Sequence, residues 1–455
     1  MQPKILKGKY ETAVVYTSEL EAQAESQIQH YIDSEIAKNS NVRIMPDVHA
    51  GAGCVVGFTS KVTPFVIPQM IGVDIGCGVL AQRLNYKVPA ELKQKFFEKL
   101  DKTIRQFVPS GFESQKVAID MDLMKSLFKG NMDFDEFIKE LKALTKKVGG
   151  NSIQQLGTLG GGNHFIEVDE SEDGELWLVV HTGSRNLGKR VAEFHQRLAS
   201  STIFTDEKRD QLCETLLKMG DTVEINEQFS KEFIKHVDDQ LRKSDRQREI
   251  NKIHKLIQVV KNESKEQWFI HGNRVVDYCK DMNIAQMYAQ LNRKLIINSI
   301  QDFINDFQER NELPEFQTST KLPKDIESVH NYIDFEDNII RKGSIASYVD
   351  RPLIIPLNMK DGAILGFGKS NAEWNNSAPH GAGRQFSRTQ AKLNSNLEEF
   401  QKSMEGVYST CVRQDTLDEA PSAYKNSEQL INWLEQTVSI EVIVKSVYNF
   451  KAGEE

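Results

Sequence analysis

Short apolar segments that close on glycine turns recur in three separate stretches of this 455-residue chain. The first lies between residues 1 and about 90 and includes VRIMPDVHAGAGCVVGFTS and MIGVDIGCGVLAQRL. The second covers 153–188, as IQQLGTLGGGNHFIEV and ELWLVVHTGSRNLG. The third begins near residue 325 with SVHNYIDFEDNIIRKGS, PLIIPLNMKDGAILGFG and SAPHGAGRQFSR. Apolar runs of this length, bounded by Gly, Pro, Asn and Asp, read as strands joined by tight turns. Scattered as they are, the pieces are expected to form one β-rich body interrupted by helical excursions.

The excursions have a different composition. Residues 90 to about 150 carry AELKQKFFEKLDKTIRQF and FDEFIKELKALTKKV, with apolar residues three and four apart, as in helices. From 189 to about 305 there is no proline and little glycine, and Lys, Glu, Asp and Gln are dense. That pattern predicts long amphipathic helices, a helical insertion over about 190–305. The tail from Ser427 reads as a short helix and then the strand SIEVIVKSVYNF. With no internal repeat, the expectation is a single α+β domain over 1–455.

Several function classes fall away. Apolar runs such as Leu178-Val179-Val180 are far too short to span a bilayer, and MQPKILKGKYETAVVY lacks the apolar stretch of a signal peptide. A cytoplasmic protein without a membrane partner is expected. Five cysteines, an odd number with no CxxC pair, fit reduced thiols rather than a disulfide framework. The net charge of −8 argues against coating nucleic acid through bulk electrostatics. Local basic clusters remain at Lys189-Arg190, Arg341-Lys342, and Arg384 with Arg388. There is no GxxxxGK[ST] and no GxSxG, so neither a P-loop nor a nucleophile elbow is present.

The ten histidines sort by setting. His30, His195, His236 and His254 lie in charged helical stretches and read as solvated or partly packed side chains. His271, after the apolar WFI, is ambiguous. His49, His164, His181, His330 and His380 sit where strands end in turns, where backbone can approach a ligand closely. Any one of these is as easily a satisfied core histidine as a functional one. Five of the same type are harder to explain that way.

Asp74 and Cys77 add two further donor types in the tight turn DIGCG. At this spacing a carboxylate and a thiol can face one centre, and a thiolate can bridge two ions. Imidazole, carboxylate and thiolate together suit Mn, Zn, Fe or Co rather than Mg or Ca. The competing reading of Cys77 is a small buried residue, as expected for Cys54, Cys213, Cys279 and Cys411.

DIGCG (74–78), LGTLGGGNHFIEV (156–168), VVHTGSRNLG (179–188), VHN (329–331), RKG (341–343) and PHGAGR (379–384) occur in this order. Together they resemble the RtcB family of RNA ligases. DMNIAQMYAQLNR (281–293) and EAPSAYKN (419–426) also look like that family, so the resemblance runs from about Asp47 to the C-terminus.

The resemblance implies a β-rich body around a dinuclear metal site. It also implies a GTP- and Mn²⁺-dependent ligase. Such an enzyme joins RNA 3′-phosphate or 2′,3′-cyclic phosphate ends to 5′-hydroxyl ends, as in tRNA splicing or RNA repair. Cys77 would bridge two Mn²⁺ ions, one also held by His181 and His330, the other by Asp74 and His164. His380 would be the nucleophile that takes GMP, with Gly381, Ala382 and Gly383 lining its turn. Asn163 and Asn331 would bind phosphate. Phe165 and Glu167 would line the nucleotide pocket, and Lys451 would hold guanine. Lys342 and Arg384 would steady the phosphate or RNA end. The partners would be broken RNA ends, such as tRNA halves, and the enzyme a monomer.

One segment departs from the family. The loop that touches the nucleotide reads Pro-Gly-Ser-Met-Gly in the family and Pro356-Leu357-Asn358-Met359-Lys360-Asp361-Gly362-Ala363 here. Asn358 can donate and accept in place of serine; Ala363 cannot. This points to a divergent paralogue with an altered nucleotide preference. Two other functions use the same residues: a binuclear phosphoesterase that does not need His380 as nucleophile, and a non-catalytic RNA-end or nucleotide binder.

Overall fold

The computed structural model describes residues 2–200 and 269–452. Its strands are β1 (Lys4–Lys7), β2 (Thr12–Val15), β3 (Arg43–His49), β4 (Val56–Lys61), β5 (Phe65–Val66), β6 (Gly78–Arg83), β7 (Phe165–Glu170), β8 (Leu176–Thr182) and β9 (Ile270–His271). They continue as β10 (Asp325–Val329), β11 (Tyr332–Asp334), β12 (Ile339–Lys342), β13 (Ser344–Ala346), β14 (Pro352–Pro356), β15 (Ala363–Gly368), β16 (Ser377–Pro379) and β17 (Val438–Lys451). The α-helices are α1 (Ala22–Ile32), α2 (Ala90–Phe107), α3 (Met121–Leu127), α4 (Phe134–Val148), α5 (Arg185–Ser200), α6 (Asn273–Arg310), α7 (Arg388–Asn394), α8 (Leu397–Ser403) and α9 (Ser427–Leu434).

Mixed helix and strand is as the sequence indicates. The three strand-rich stretches interleave in two large sheets. The seven-stranded sheet runs β10-β6-β8-β7-β17-β15-β14, with antiparallel neighbours throughout. Its outermost strands approach each other: Ile354 N–H on β14 donates to Ser328 Oγ on β10 at 2.9 Å, so the sheet curls almost into a barrel. The six-stranded sheet runs β1-β2-β3-β4-β12-β11. β13 pairs with β16 beside it.

Every residue of β8 is buried, which its apolar run Leu176–Val180 allows. Burying a large apolar side chain contributes about 1.5–3 kcal/mol, so this strand anchors the sheet. α2 buries Phe96, Phe97, Leu100 and Ile104, one stripe of a 3.6-residue period. α4 starts at Asp133, whose carboxylate accepts from the N–H groups of Asp135 and Glu136, and stops at Gly149, with φ 80°.

α1 is an addition to the sequence reading, which took residues 1–90 as strand and turn. Its buried Ala24, Ile28, Tyr31 and Ile32 follow helical spacing. α5 and α6 bracket the helical stretch expected over about 190–305; its centre, 201–268, with His236, His254 and Cys213, lies outside the described residues. α6 has 38 residues, about 57 Å at 1.5 Å each. Met282, Tyr288 and Leu291 of α6 join one core, and Ile296, Ile300, Ile304 and Phe307 join another. No described helix is long and apolar enough to cross a membrane.

His195 goes beyond the solvated or partly packed side chain expected of it. It is fully buried, with Nε2 2.7 Å from Asp281 Oδ2, an oxygen that Lys147 also reaches at 2.6 Å. His30 and His271 are exposed, and Cys54 and Cys411 are buried.

Candidate active site

Antiparallel pairing explains how residues far apart in sequence meet. The starts of β6 and β7 and the ends of β8 and β10 share one edge of the seven-stranded sheet. Cys77 directly precedes β6 and His164 directly precedes β7; His181 is next to last in β8, and His330 directly follows β10. In register, His181 lies opposite both Val79 and Phe165, and Val329 lies opposite Gly78. His330 N–H also donates to Cys77 O at 2.8 Å.

The donor atoms converge. Cys77 Sγ is 3.3 Å from His181 Nε2 and 3.6 Å from His164 Nε2. His181 Nε2 and His330 Nε2 are 3.4 Å apart. Donor atoms of Cys77, His181 and His330 all lie within 4.8 Å of one another. His164 reaches the same sulfur from the side. Asp74 is exposed at the rim and is not part of this compact group.

Two of the imidazoles have an assigned proton. His164 Nδ1 lies 2.9 Å from Leu159 O, and His181 Nδ1 lies 3.2 Å from Asn163 O. A carbonyl only accepts, so each ring carries its proton on Nδ1 and turns an Nε2 lone pair toward Cys77. Burial pushes His164 down to about 4, against the pull of Asp74, and pushes His181 and His330 well below the ordinary imidazole value. All three rings are thus neutral, as ligands must be. Burial and the Asp74 charge raise the Cys77 thiol, against Arg293, so the thiol keeps its proton until a cation displaces it. One thiol and neutral imidazoles in a buried group fit a soft-to-borderline transition metal.

α6 fastens this edge. The fully buried Arg293 donates to Gly76 O at 2.9 Å, Thr182 O at 2.8 Å and Glu327 Oε1 at 2.8 Å. It therefore ties the DIGCG turn to the end of β8. Asn292 Nδ2 donates to Thr158 O at 3.0 Å and Gly183 O at 3.3 Å, and Asn292 Oδ1 accepts from Thr158 N–H at 3.2 Å. Gly183 is held close to the sulfur: a Cβ there would stand 3.4 Å from Cys77 Sγ.

His380 follows β16 and comes from the other sheet's side. Its Nδ1 lies 2.7 Å from Asp47 Oδ2 on β3, and its own N–H donates to that oxygen at 3.1 Å. The carboxylate only accepts, so Nδ1 carries a proton toward Asp47. The His380 ring is 4.7 Å from the His330 ring, centre to centre. The turn after it must pass close over Asp47: Gly383 has φ 76°, and a Cβ there would meet Asp47 O at 2.4 Å. Gly381 and Ala382 are buried in the same turn. His49 turns Nδ1 to Asp47 O at 3.0 Å and is not in the metal-type group.

The residues expected at the nucleotide divide. Phe165 and Lys451 face each other across β7 and β17, with the ammonium 5.6 Å from the ring centre. Glu167 is buried opposite Asn449, whose Nδ2 donates to it at 2.8 Å; burial nonetheless raises this carboxyl to about 8. Lys451 is also paired with Glu419. Arg384 Nη1 at 3.2 Å, Arg388 Nη1 at 3.0 Å and Tyr424 OH at 2.6 Å converge on the same carboxylate. Burial works to raise Glu419, but Lys451, Arg388 and Arg384 outweigh it and hold it at about 2.

Asn163 is half-buried and supplies the carbonyl that orients His181. Asn331 has φ 72° and is a brace: its Oδ1 accepts from Gly343 N–H at 2.8 Å and its Nδ2 donates to Asp74 O at 3.3 Å. Lys342 is buried and donates to the carbonyls of Ala52, Cys54 and Gln69, clamping that loop.

In the divergent loop, Asn358 is engaged in its own turn. Its Oδ1 accepts from Lys360 N–H at 3.0 Å and Asp361 N–H at 2.9 Å, and its Nδ2 donates to Asp361 Oδ2 at 2.7 Å. Pro356 pairs with Ala363 across the β14–β15 hairpin, and Met359 packs on Phe400 and Leu417.

Sequence reasoning left Asp47 as a support or an RNA contact rather than a ligand, and assigned no role to Asn292, Arg293, Glu419 or Asn449. All five lie within the stretch the resemblance covers, Asn449 in the tail strand. Only the pairing of distant segments reveals what they touch.

The comparisons agree in range with these elements. A family model described as tRNA-splicing ligase RtcB matches residues 34–452. The chain is 27% identical to the RNA-splicing ligase RtcB of Escherichia coli over 419 residues, covering 89% of this chain and 87% of that one. It is 26% identical to the tRNA-splicing ligase RtcB of Archaeoglobus fulgidus, covering 86% and 82%. It is 25% identical to the one of Nanoarchaeum equitans, covering 85% and 83%.

Proposed function

The chain belongs to the RtcB family, and from that membership we propose that it is a GTP-dependent RNA ligase acting through His380. In this reading it joins RNA 3′-phosphate or 2′,3′-cyclic phosphate ends to 5′-hydroxyl ends, working as a cytoplasmic monomer and single catalytic domain on tRNA halves or damaged RNA. The observation that carries the proposal is the Asp47-held His380 ring, 4.7 Å from a ring of the Cys77–His181–His330 group.

The family reading implies Mn²⁺, for which the imidazoles and the Asp74 carboxylate are the better-suited donors and the Cys77 thiolate a softer one. Cys77, His181 and His330 would hold one ion, and Cys77, His164 and Asp74 a second. Bound there, the metal offsets negative charge on phosphate oxygens and orients the reacting groups. His380 Nε2 attacks the α-phosphorus of GTP; a P–N bond forms, the α–β P–O bond breaks and pyrophosphate leaves. Asp47 keeps the proton on Nδ1 and stabilises the charge that the ring gains. An RNA 3′-phosphate oxygen then displaces His380 from GMP. The activated end is attacked by the 5′-hydroxyl, which loses its proton as GMP departs.

The nucleotide base would lie against Phe165, with Glu167 and Lys451 at its edge. The engaged Asn358 and the methyl side chain of Ala363 leave that loop fewer side-chain donors for a nucleotide than the family pattern has. A weaker or broader base preference follows.

Incubation with Mn²⁺ and α-labelled GTP, then a denaturing gel, tests the proposal. A labelled protein band, lost in His380→Ala, is expected. No band with GTP, ATP or other nucleotides in metal-loaded protein would overturn it and favour a phosphoesterase or a non-catalytic binder.

A further inference from the structure

Phe112 is the most exposed large apolar side chain among the described residues, at 85%. It stands on a loop that is firmly held. Leu159 N–H donates to Pro109 O at 2.9 Å, and Gly111 N–H donates to Gly160 O at 3.0 Å. Arg185 ties the same two segments, with Nη2 on Gly111 O at 2.8 Å and Nε on Thr158 Oγ1 at 2.9 Å. Gln115 adds its N–H to Gln154 O at 2.8 Å and its Nε2 to Gly157 O at 3.0 Å.

The segment it is fastened to is the glycine turn that carries His164. A Cβ on Gly160 would lie 2.9 Å from His164 Nδ1, and one on Gly161 would lie 3.8 Å from Gly111 Cα. Phe112 thus follows directly on a residue packed against the turn that leads into His164. Among the described residues, the N–H groups of Gly161, Gly162 and Asn163 have no acceptor, a setting that suits a phosphate. Glu113, Lys116 and Val117 are exposed on the same loop.

We propose that Phe112 is a stacking platform for a nucleobase of the RNA end, next to the nucleotide whose phosphate reaches the His164 turn. An aromatic face in water, on a loop fixed by at least five hydrogen bonds, gives no packing benefit to the fold. It offers what an unpaired RNA end lacks, a flat surface for a splayed base. The inference rests on the RNA-ligase reading and extends it to substrate positioning.

The test compares Phe112→Ala, Phe112→Leu and Phe112→Trp with the unaltered chain. RNA KM is read with an oligonucleotide carrying a 3′-phosphate, and protein–GMP formation, which needs no RNA, is the reference. Phe112→Ala and Phe112→Leu are expected to raise RNA KM roughly tenfold, with GMP transfer within about twofold, while Phe112→Trp keeps the low KM. An abasic site in the terminal two nucleotides should remove the difference between Phe112 and Phe112→Ala. A 2-aminopurine there should be quenched on binding to the unaltered chain and not to Phe112→Ala. Equal KM and equal quenching in Phe112→Ala overturn the proposal, as does a KM loss that persists on abasic RNA. If GMP transfer is absent from the unaltered chain, the enzymatic reading fails, and the 2-aminopurine titration still decides the platform.

Discussion

Two kinds of histidine face each other across the junction of the sheets. His164 and His181, on the seven-stranded side, give their Nδ1 protons to main-chain carbonyls. His380, on the other side, gives its Nδ1 proton to the Asp47 carboxylate. A carbonyl fixes the tautomer and adds no charge, so the ring stays a neutral donor for a cation. A carboxylate fixes the same tautomer and sets a negative charge beside the ring, which suits the nucleophile role proposed for His380. The side chain is the same; the partner on the far nitrogen divides the work.

The largest expected effects break this division outright. Cys77→Ala should lose both bound metal and all ligation, and His380→Ala should lose GMP transfer with metal content near normal. Metal analysis beside the labelled-GTP gel checks both. Transfer that survives in His380→Ala would place the nucleophile elsewhere.

Next is Asp47→Asn. An amide keeps the shape but can donate to Nδ1 and so move the proton to Nε2, the attacking atom. GMP transfer should fall by about 10²–10⁴-fold with metal content unchanged, by analogy with the aspartate of a serine-protease triad. A loss below fivefold would show that the carboxylate only positions the ring.

Arg293→Met sharpens the other side. It removes three hydrogen bonds and leaves Glu327 without its buried cation. Breaking a buried pair this way costs about 3–5 kcal/mol, and metal should bind more weakly as the Cys77 and His181 turns loosen. Urea unfolding with and without Mn²⁺ measures both.

The smallest effect is in protons. The metal-side imidazoles are already neutral near pH 7, while the Cys77 thiol is not ionised. Filling the site should release about one proton in all, from the one sulfur that both ions share, and tighten as pH rises. Indicator dye in weak buffer counts it; two or more protons would mean that the rings start protonated. Without metal, these rings have a folded pKa below the unfolded value. Unfolded chain binds the extra protons, so stability falls as pH drops from 6.5 toward about 4.

Strand language, the five turn histidines and the Asp74–Cys77 turn were legible as local properties, whereas the choice of His164, His181 and His330 as partners of Cys77 came only with the family resemblance. The order β10-β6-β8-β7 was not, since a strand's apolar run does not name its neighbour. Asp47 and His380 are 333 residues apart, and PDVH carries no sign of its partner. Lys342 read as a cation for phosphate because it sits in RKG; only the fold shows three carbonyls around it. His195 read as solvated or partly packed because its helix is charged, yet it is fully buried against Tyr278 and Asp281.

α6 makes the candidate metal group a load on the whole scaffold. Its Arg293 grips the ligand turns, and its apolar face belongs to two cores. Any ion that prefers the gripped arrangement therefore stabilises the long helix by mass action. Free ion at a hundred times its dissociation constant adds about 2.7 kcal/mol to the folded state. The amides of α6 then become reporters of occupancy: their hydrogen exchange should slow when the site fills, along turns well removed from Cys77.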